Sequence, residues 1–158
     1  MCDQSGRLHF EDFYAGQIFS LGTHEITADE IVEFASEFDP QPQHLDPIAA
    51  KSSMLGGLAA SGWHLCALAM RMMVDGLFHK AASMGSPGVE EVQWRRPVYA
   101  GDLLQLSAEV LDTRLSSRSD RGYVRFRFTM SRTGMTGEPE KVMIFVSPVI
   151  VGRKEETA

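Results

Sequence analysis

This chain has little to staple or anchor it. Its 158 residues contain two cysteines. Cys2 lies at the terminus and Cys66 inside an apolar helical stretch, which is neither a disulfide framework nor a zinc-ligand spacing. Such usage implies a reducing compartment. Basic charge is in deficit as well: 15 Lys+Arg face 21 Asp+Glu, a net charge of −6, so no general attraction to nucleic acid or to an anionic leaflet is expected. The N-terminal MCDQSGRLHFED has no basic stretch followed by an apolar one, and Ser61, His64, Arg71 and Asp75 interrupt the longest apolar stretch. A cytoplasmic protein with no nucleic-acid partner and no membrane anchor is therefore expected. Repeats, low-complexity tracts and Pro/Gly/Ser linkers are lacking too. This predicts one domain over 1–158, with its core at about 10–150 and frayed ends at about 1–8 and 153–158.

What is present is an ordinary globular balance, 44% hydrophobic and 23% charged, in a chain long enough to build a core without staples. Gly16 to Thr27 holds Ile18, Phe19, Leu21 and Ile26 and reads as a first strand. Thr27, followed by Asp29 and Glu30, signals the N-cap of a helix over Asp29–Phe38, with Ile31, Phe34, Ala35 and Phe38 as its apolar stripe. Pro40, Pro42 and Pro47 stop that helix and predict an ordered, extended loop. From Leu58 to Phe78 the residues are apolar almost all round, the mark of a helix buried in the core. Val89–Trp94, Leu103–Leu111, Tyr123–Met130 and Val142–Val151 then read as strands separated by turns. One buried helix followed by several strands predicts an α+β fold in which an antiparallel sheet wraps the helix.

Chemistry concentrates in FDPQPQHLDP, residues 38–47. Asp39 and His44 lie five positions apart across two prolines, which lower the entropy cost of holding both side chains in one place. A carboxylate beside an imidazole suits the positioning of one water and a proton transfer near neutral pH. The same residues also fit a helix-end cap and a structural histidine. A second feature is Gly56-Gly57-Leu58-Ala59-Ala60-Ser61-Gly62, at the entrance to the apolar helix. Free N–H groups and the positive end of the dipole there could hold an oxyanion, or the small residues could simply permit close packing. Trp94-Arg95-Arg96-Pro97-Val98-Tyr99-Ala100-Gly101-Asp102 is, taken alone, a strand ending in a turn.

Together and in this order, the three segments resemble the MaoC-like hydratase branch of the hotdog-fold superfamily, which includes the (R)-specific enoyl-CoA hydratases. Asp39-Pro40-Gln41-Pro42-Gln43-His44-Leu45-Asp46 is similar to the family's Asp-x-Asn-Pro-x-His-x-Asp, with Gln41 in place of Asn. Gly56–Gly62 resembles its glycine-rich helix entrance, with Ser61 where His is common. Trp94–Asp102 is similar to its Phe-x-x-Pro-Val-x-x-Gly-Asp strand, and Phe10–Gln17 to its opening. The resemblance covers about residues 10–150 and implies a hotdog fold with no metal and no cofactor. It further implies that Asp39 and His44 hold and activate a water at the β-carbon of a trans-2-enoyl thioester. The Gly62 backbone N–H would receive the thioester oxygen as enolate charge develops.

The reaction so implied is reversible hydration of a trans-2-enoyl-CoA, or of an acyl-carrier thioester, to the 3-hydroxyacyl form. The enzyme would be a hydro-lyase of fatty acid metabolism working as a homodimer or higher even oligomer. A hotdog acyl-CoA thioesterase and a non-catalytic acyl-thioester-binding subunit are the alternatives. Among the remaining groups, His64 reads as a satisfied packing histidine and Cys66 as an inert hydrophobe. Asp46 reads as a capping or supporting carboxylate. The arginines from Arg114 to Arg132 read as the solvated face of a half-buried sheet.

Overall fold

The computed structural model describes residues 6–133 and 137–155; Cys2 lies outside them. Six strands form one antiparallel sheet: β1 (Ile18–Glu25), β2 (Ser83–Gly85), β3 (Glu91–Trp94), β4 (Leu103–Leu115), β5 (Arg121–Thr133) and β6 (Pro139–Gly152). Their order is β1-β4-β5-β6-β2, with β3 also paired to β6 beside β2. Among the described residues four α-helices accompany them: α1 (Ala28–Phe38), α2 (Pro42–Leu45), α3 (Pro47–Lys51) and α4 (Gly62–Gly76).

The strands alternate as a half-buried sheet requires. On β4, Leu104, Leu106, Ala108 and Val110 face inward; on β5, Val124, Phe126, Phe128 and Met130 do so. They enclose Leu65, Ala69, Met72 and Met73 of α4 in one apolar cluster. At the end of α4 a Cβ on Gly76 would lie 3.0 Å from the Leu21 Cα, so glycine lets this helix settle against β1. On the outer face Arg125 pairs with Glu90 and Asp112, and Arg127 with Glu109, as the solvated-face reading expects.

Several elements depart from the sequence expectation. The apolar helix starts at Gly62, not Leu58, and ends at Gly76. Residues before it are drawn into an extended bridge: Ala59 pairs with Tyr99, and the Ala60 N–H donates to the Val98 carbonyl at 2.8 Å. Nor is α4 buried all round, since Trp63 is 64% and Met70 46% exposed. Phe38, expected on the buried stripe of α1, is exposed, although Ile31 and Ala35 are buried. The proline-rich loop is not extended: Pro42 and Pro47 each open a short helix. Proline is suited to that position, having its φ preset and no N–H to leave unpaired. The short strand β2 has no periodicity to announce it. The supposedly frayed ends are tied down where described, by a Leu8–Ala81 bridge and by Lys154 on Glu11 and Asp12.

Candidate active site

The site begins with a well-capped helix. Thr27 Oγ1 accepts the Glu30 N–H at 3.2 Å and Glu30 Oε2 accepts the Thr27 N–H at 2.8 Å, a reciprocal capping box that fixes the start of α1. At the other end the C-cap is Asp39, whose N–H donates to the Ala35 carbonyl at 2.9 Å. A carboxylate is misplaced at the negative end of a helix dipole. Its charge is held by a local donor instead: Gln41 Nε2 donates to Asp39 Oδ1 at 2.6 Å. That amide, with the neighbouring Ser61 hydroxyl and the His44 imidazole, keeps the Asp39 carboxyl below its ordinary pKa, so it is ionised at neutral pH.

His44 sits on α2, only 6% exposed. Its Nδ1 lies 2.7 Å from the Ala59 carbonyl oxygen. A carbonyl only accepts, so Nδ1 carries a proton and Nε2 of the neutral ring carries the lone pair. Nε2 points at Asp39, 3.4 Å from Oδ2. Two acceptors thus face each other whenever the imidazole is neutral, and a proton on Nε2, or a donor set to the side of both atoms, relieves the repulsion. Asp46, by contrast, only caps: its Oδ1 accepts the Ile48 N–H at 2.8 Å.

The strand-and-turn segment provides the backing. Asp102 Oδ2 accepts the Tyr99 N–H at 2.9 Å and an Arg132 N–H at 3.2 Å, and Arg132 also donates to the Pro97 carbonyl at 2.7 Å. Tyr99 in turn donates its hydroxyl proton to the Leu55 carbonyl at 2.6 Å. The turn therefore clamps the Leu55–Ala60 stretch from which Ala59 reaches His44.

A cavity of about 260 Å³ opens here, with His44, Ala59, Gly62, Leu65, Trp94 and Arg95 in its walls. The structure thus brings Asp39 to His44, and His44 and Gly62 to one cavity; Asp39 meets the cavity through His44 and does not line it. Gly62 is the first residue of α4, where the N–H has no helical carbonyl to receive it. Trp94 packs on it closely: Nε1 donates to the Gly62 carbonyl at 2.9 Å, and a Cβ on Gly62 would lie 2.6 Å from Trp94 Cε2. Trp94, Leu65 and Arg95 do not stand out individually in the sequence; only the motif containing the tryptophan and the arginine marks them.

The other candidates play different parts. His64 stacks on Phe34 at 4.7 Å between centroids, but its buried Nδ1 has no hydrogen-bond partner among the described residues, so it packs without being satisfied there. Burial pushes the Cys66 thiol pKa up, in keeping with an inert side chain. His24 meets Glu30 at 2.9 Å. A second cavity of about 280 Å³ lies farther along α4, among Met70, Met73, Phe78, Val89, Phe128 and Phe145. Among the described residues no helix is long and apolar enough to cross a membrane.

Comparison with known proteins agrees with this architecture. Over 93% of the chain and 98% of its counterpart, a MaoC-like dehydratase from Rhodospirillum rubrum superimposes with a TM-score of 0.84 at 38% identity. The (R)-hydratase PhaJ1 of Pseudomonas aeruginosa, 22% identical, shares the fold with a TM-score of 0.73 over 96% of this chain and 92% of that one. The sheet wrapped on α4, with these neighbours, defines a hotdog-fold protein. Residues 16–129 match the family described as MaoC like domain, and the chain belongs to that family. A curated relative, the uncharacterized protein YdeM of Bacillus subtilis strain 168, is 30% identical over 105 residues, 66% of this chain and 74% of that protein.

Proposed function

We propose that the protein is a hydro-lyase that adds water reversibly to a trans-2-enoyl thioester, giving a 3-hydroxyacyl thioester. The observation that carries this reading is the facing of two acceptors, His44 Nε2 and Asp39 Oδ2, 3.4 Å apart, beside a cavity whose wall also holds the first residue of α4. A water set to the cavity side of the pair, within reach of both acceptors, can donate to each. Asp39, its pKa depressed, is the weaker base and stays ionised, so His44 Nε2 takes the proton and Asp39 stabilises the imidazolium.

As the proton leaves, the water oxygen bonds to the β-carbon and the π pair moves onto the α-carbon and thioester oxygen. The free N–H of Gly62, at the positive end of α4, receives that charge. Collapse of the enolate takes the proton from His44 at the α-carbon, and neither metal nor cofactor enters the balance. Dehydration is the same path reversed. The acyl chain would run along α4 toward Met70 and Met73, whose cavity is apolar-walled.

The carrier would be coenzyme A or an acyl-carrier protein, in fatty acid metabolism in the cytoplasm, with the chain acting as one domain. Trp63, Met70, Val89 and Trp94 leave apolar surface exposed around the edge strand β3, which supports a homodimer or higher even oligomer. The test is an absorbance assay on enoyl-CoA thioesters of graded length, with the product's chirality determined. Loss of the enoyl chromophore without release of free thiol is expected; thiol release would establish a thioesterase instead, and neither would leave a binding subunit.

A further inference from the structure

The second cavity along α4 has a hydroxyl in an otherwise apolar wall. On β6, Met143, Phe145, Val149 and Val151 belong to the core, and the period of two puts Ser147 in the same inward row. It is 4% exposed and lines that cavity with Met70, Met73, Phe128 and Phe145. The sheet is interrupted beside it. β2 pairs with Ile150 and Val151 and β3 with residues 143–146, so among the described residues no strand meets Ser147 and Pro148 on that side. Pro148, with no N–H to leave unpaired, suits the gap.

Two hydroxyls close the gap. The Ser86 hydroxyl donates to the Pro148 carbonyl at 2.6 Å and the Ser147 hydroxyl to the Gly88 carbonyl at 2.9 Å. Each hydroxyl has one proton, so these contacts use both. Ser86 Oγ also accepts the Gly88 N–H at 3.3 Å. Ser147 Oγ, 3.0 Å from Ser86 Oγ, is left with lone pairs and, with the protons so placed, no donor among the described residues. Holding the loop engages the Ser147 proton alone, and the cavity meets an acceptor.

Resting on the hydratase reading, in which the acyl chain runs along α4 into this cavity, we propose that Ser147 is a specificity-determining residue. It accepts a hydrogen bond from a hydroxyl at the far end of the chain, so the preferred substrate class is an ω-hydroxylated trans-2-enoyl thioester. A methyl end would cover the Ser147 oxygen and shut out any water that donates to it, whereas a hydroxyl end takes that water's place. The apolar walls suit the methylenes before it. Leu65 lines the first cavity and Met73 the second, about 12 Å apart along α4 at 1.5 Å per residue, so only chains of sufficient length reach the acceptor.

The experiment compares trans-2-enoyl-CoA thioesters of graded length, each with a methyl or a hydroxyl end, on the full chain. At the length that reaches Ser147 the hydroxylated substrate is expected to have a kcat/KM roughly 5–10-fold higher, expressed in KM more than in kcat, with less advantage at shorter lengths. Ser147→Ala should bring that ratio to about one. An absent or reversed preference, one equal at every length, or one that persists in folded Ser147→Ala overturns the proposal. The length dependence decides the matter in the unmodified protein even if the variant fails to fold. If no enoyl thioester is hydrated, the hydratase reading fails, and calorimetric binding of ω-hydroxyacyl-CoA against plain acyl-CoA over the same lengths still decides whether Ser147 receives the hydroxyl.

Discussion

Deleting the Gly62 N–H is the sharpest test of the helix entrance, and the packing around Gly62 dictates its control. Gly62→Pro removes the donor, and proline is tolerated at the first helical position. Ser61, at φ −56° and ψ 142°, already has the extended backbone that a following proline demands. However, any side chain here brings a Cβ within 2.6–2.9 Å of three indole atoms of Trp94. Trp94 is 45% exposed, so it has room to swing out, at the loss of its bond to the Gly62 carbonyl. That bond is worth about 1 kcal/mol and the strain of crowding about 1–3 kcal/mol, offset by about 0.5–1 kcal/mol for replacing a helical glycine. Gly62→Ala should thus cost about 1–3 kcal/mol, seen as a lower midpoint in denaturant, while keeping the N–H. Gly62→Pro carries the same collision without the donor. Comparing the two by the enoyl-CoA absorbance assay isolates the N–H: kcat of the proline variant should fall a further 10²–10³-fold, roughly 2.7–4 kcal/mol of barrier. Equal turnover in two folded variants would refute the oxyanion role and leave Gly62 as a packing residue for Trp94.

Asp39→Asn and His44→Gln should each depress turnover by roughly 10²–10⁴ while substrate affinity changes far less; acting as one unit, the double variant should be little worse than the poorer single, and additive losses would separate the residues. Burial holds the His64 imidazole below its ordinary pKa of 6.5, so the unfolded chain takes up the proton first as pH falls. Stability should therefore be full above about 6.5 and decline toward the folded-state pKa. His64→Phe, which keeps a ring on Phe34, should flatten that decline in Tm measured across the range, and an unchanged slope would refute it. Arg95 lines the cavity with its guanidinium bonded, among the described residues, to Gln93 alone. Arg95→Ala should raise KM for a CoA thioester in a salt-sensitive way and leave kcat alone; an unaltered KM would remove the phosphates from that rim.

The range of the forces involved decides which features are legible in the sequence. The capping box of α1 is local, with Thr27 and Glu30 three residues apart, and it is legible. So are β4, β5 and β6, whose period of two survives over long runs. The start of α4 is misread because Leu58 to Ser61 are as helix-compatible as the residues after them. Only pairing with Val98 and Tyr99, some forty residues on, draws them into extended form. The proline segment misleads for a different reason, since the same preset φ suits both an extended chain and the first turn of a helix. Asp39 and His44 are legible as a pair because short, stiff backbone joins them. The carbonyl that sets the His44 tautomer and the indole covering Gly62 are not, because tertiary folding alone delivers them.

Four departures from local preference meet at one place. Asp39 puts a negative charge at the C-terminal end of α1, where the dipole disfavours it. His44 is a buried imidazole whose free nitrogen faces a carboxylate. Ser61 buries a hydroxyl without capping its helix. Gly62 begins α4 with no side chain, against an indole that admits none. Each lowers stability on its own account, whereas α1 is boxed at its start, the long strands alternate, and Arg125 and Arg127 are paired on the outer face. Natural folds tolerate such violations where function requires them. Their convergence on His44 and its cavity argues for chemistry at this corner more strongly than either member of the Asp39–His44 pair does alone. A pure binding subunit would need the cavity and the Gly62 approach, but it would gain nothing from a carboxylate kept ionised against a helix end.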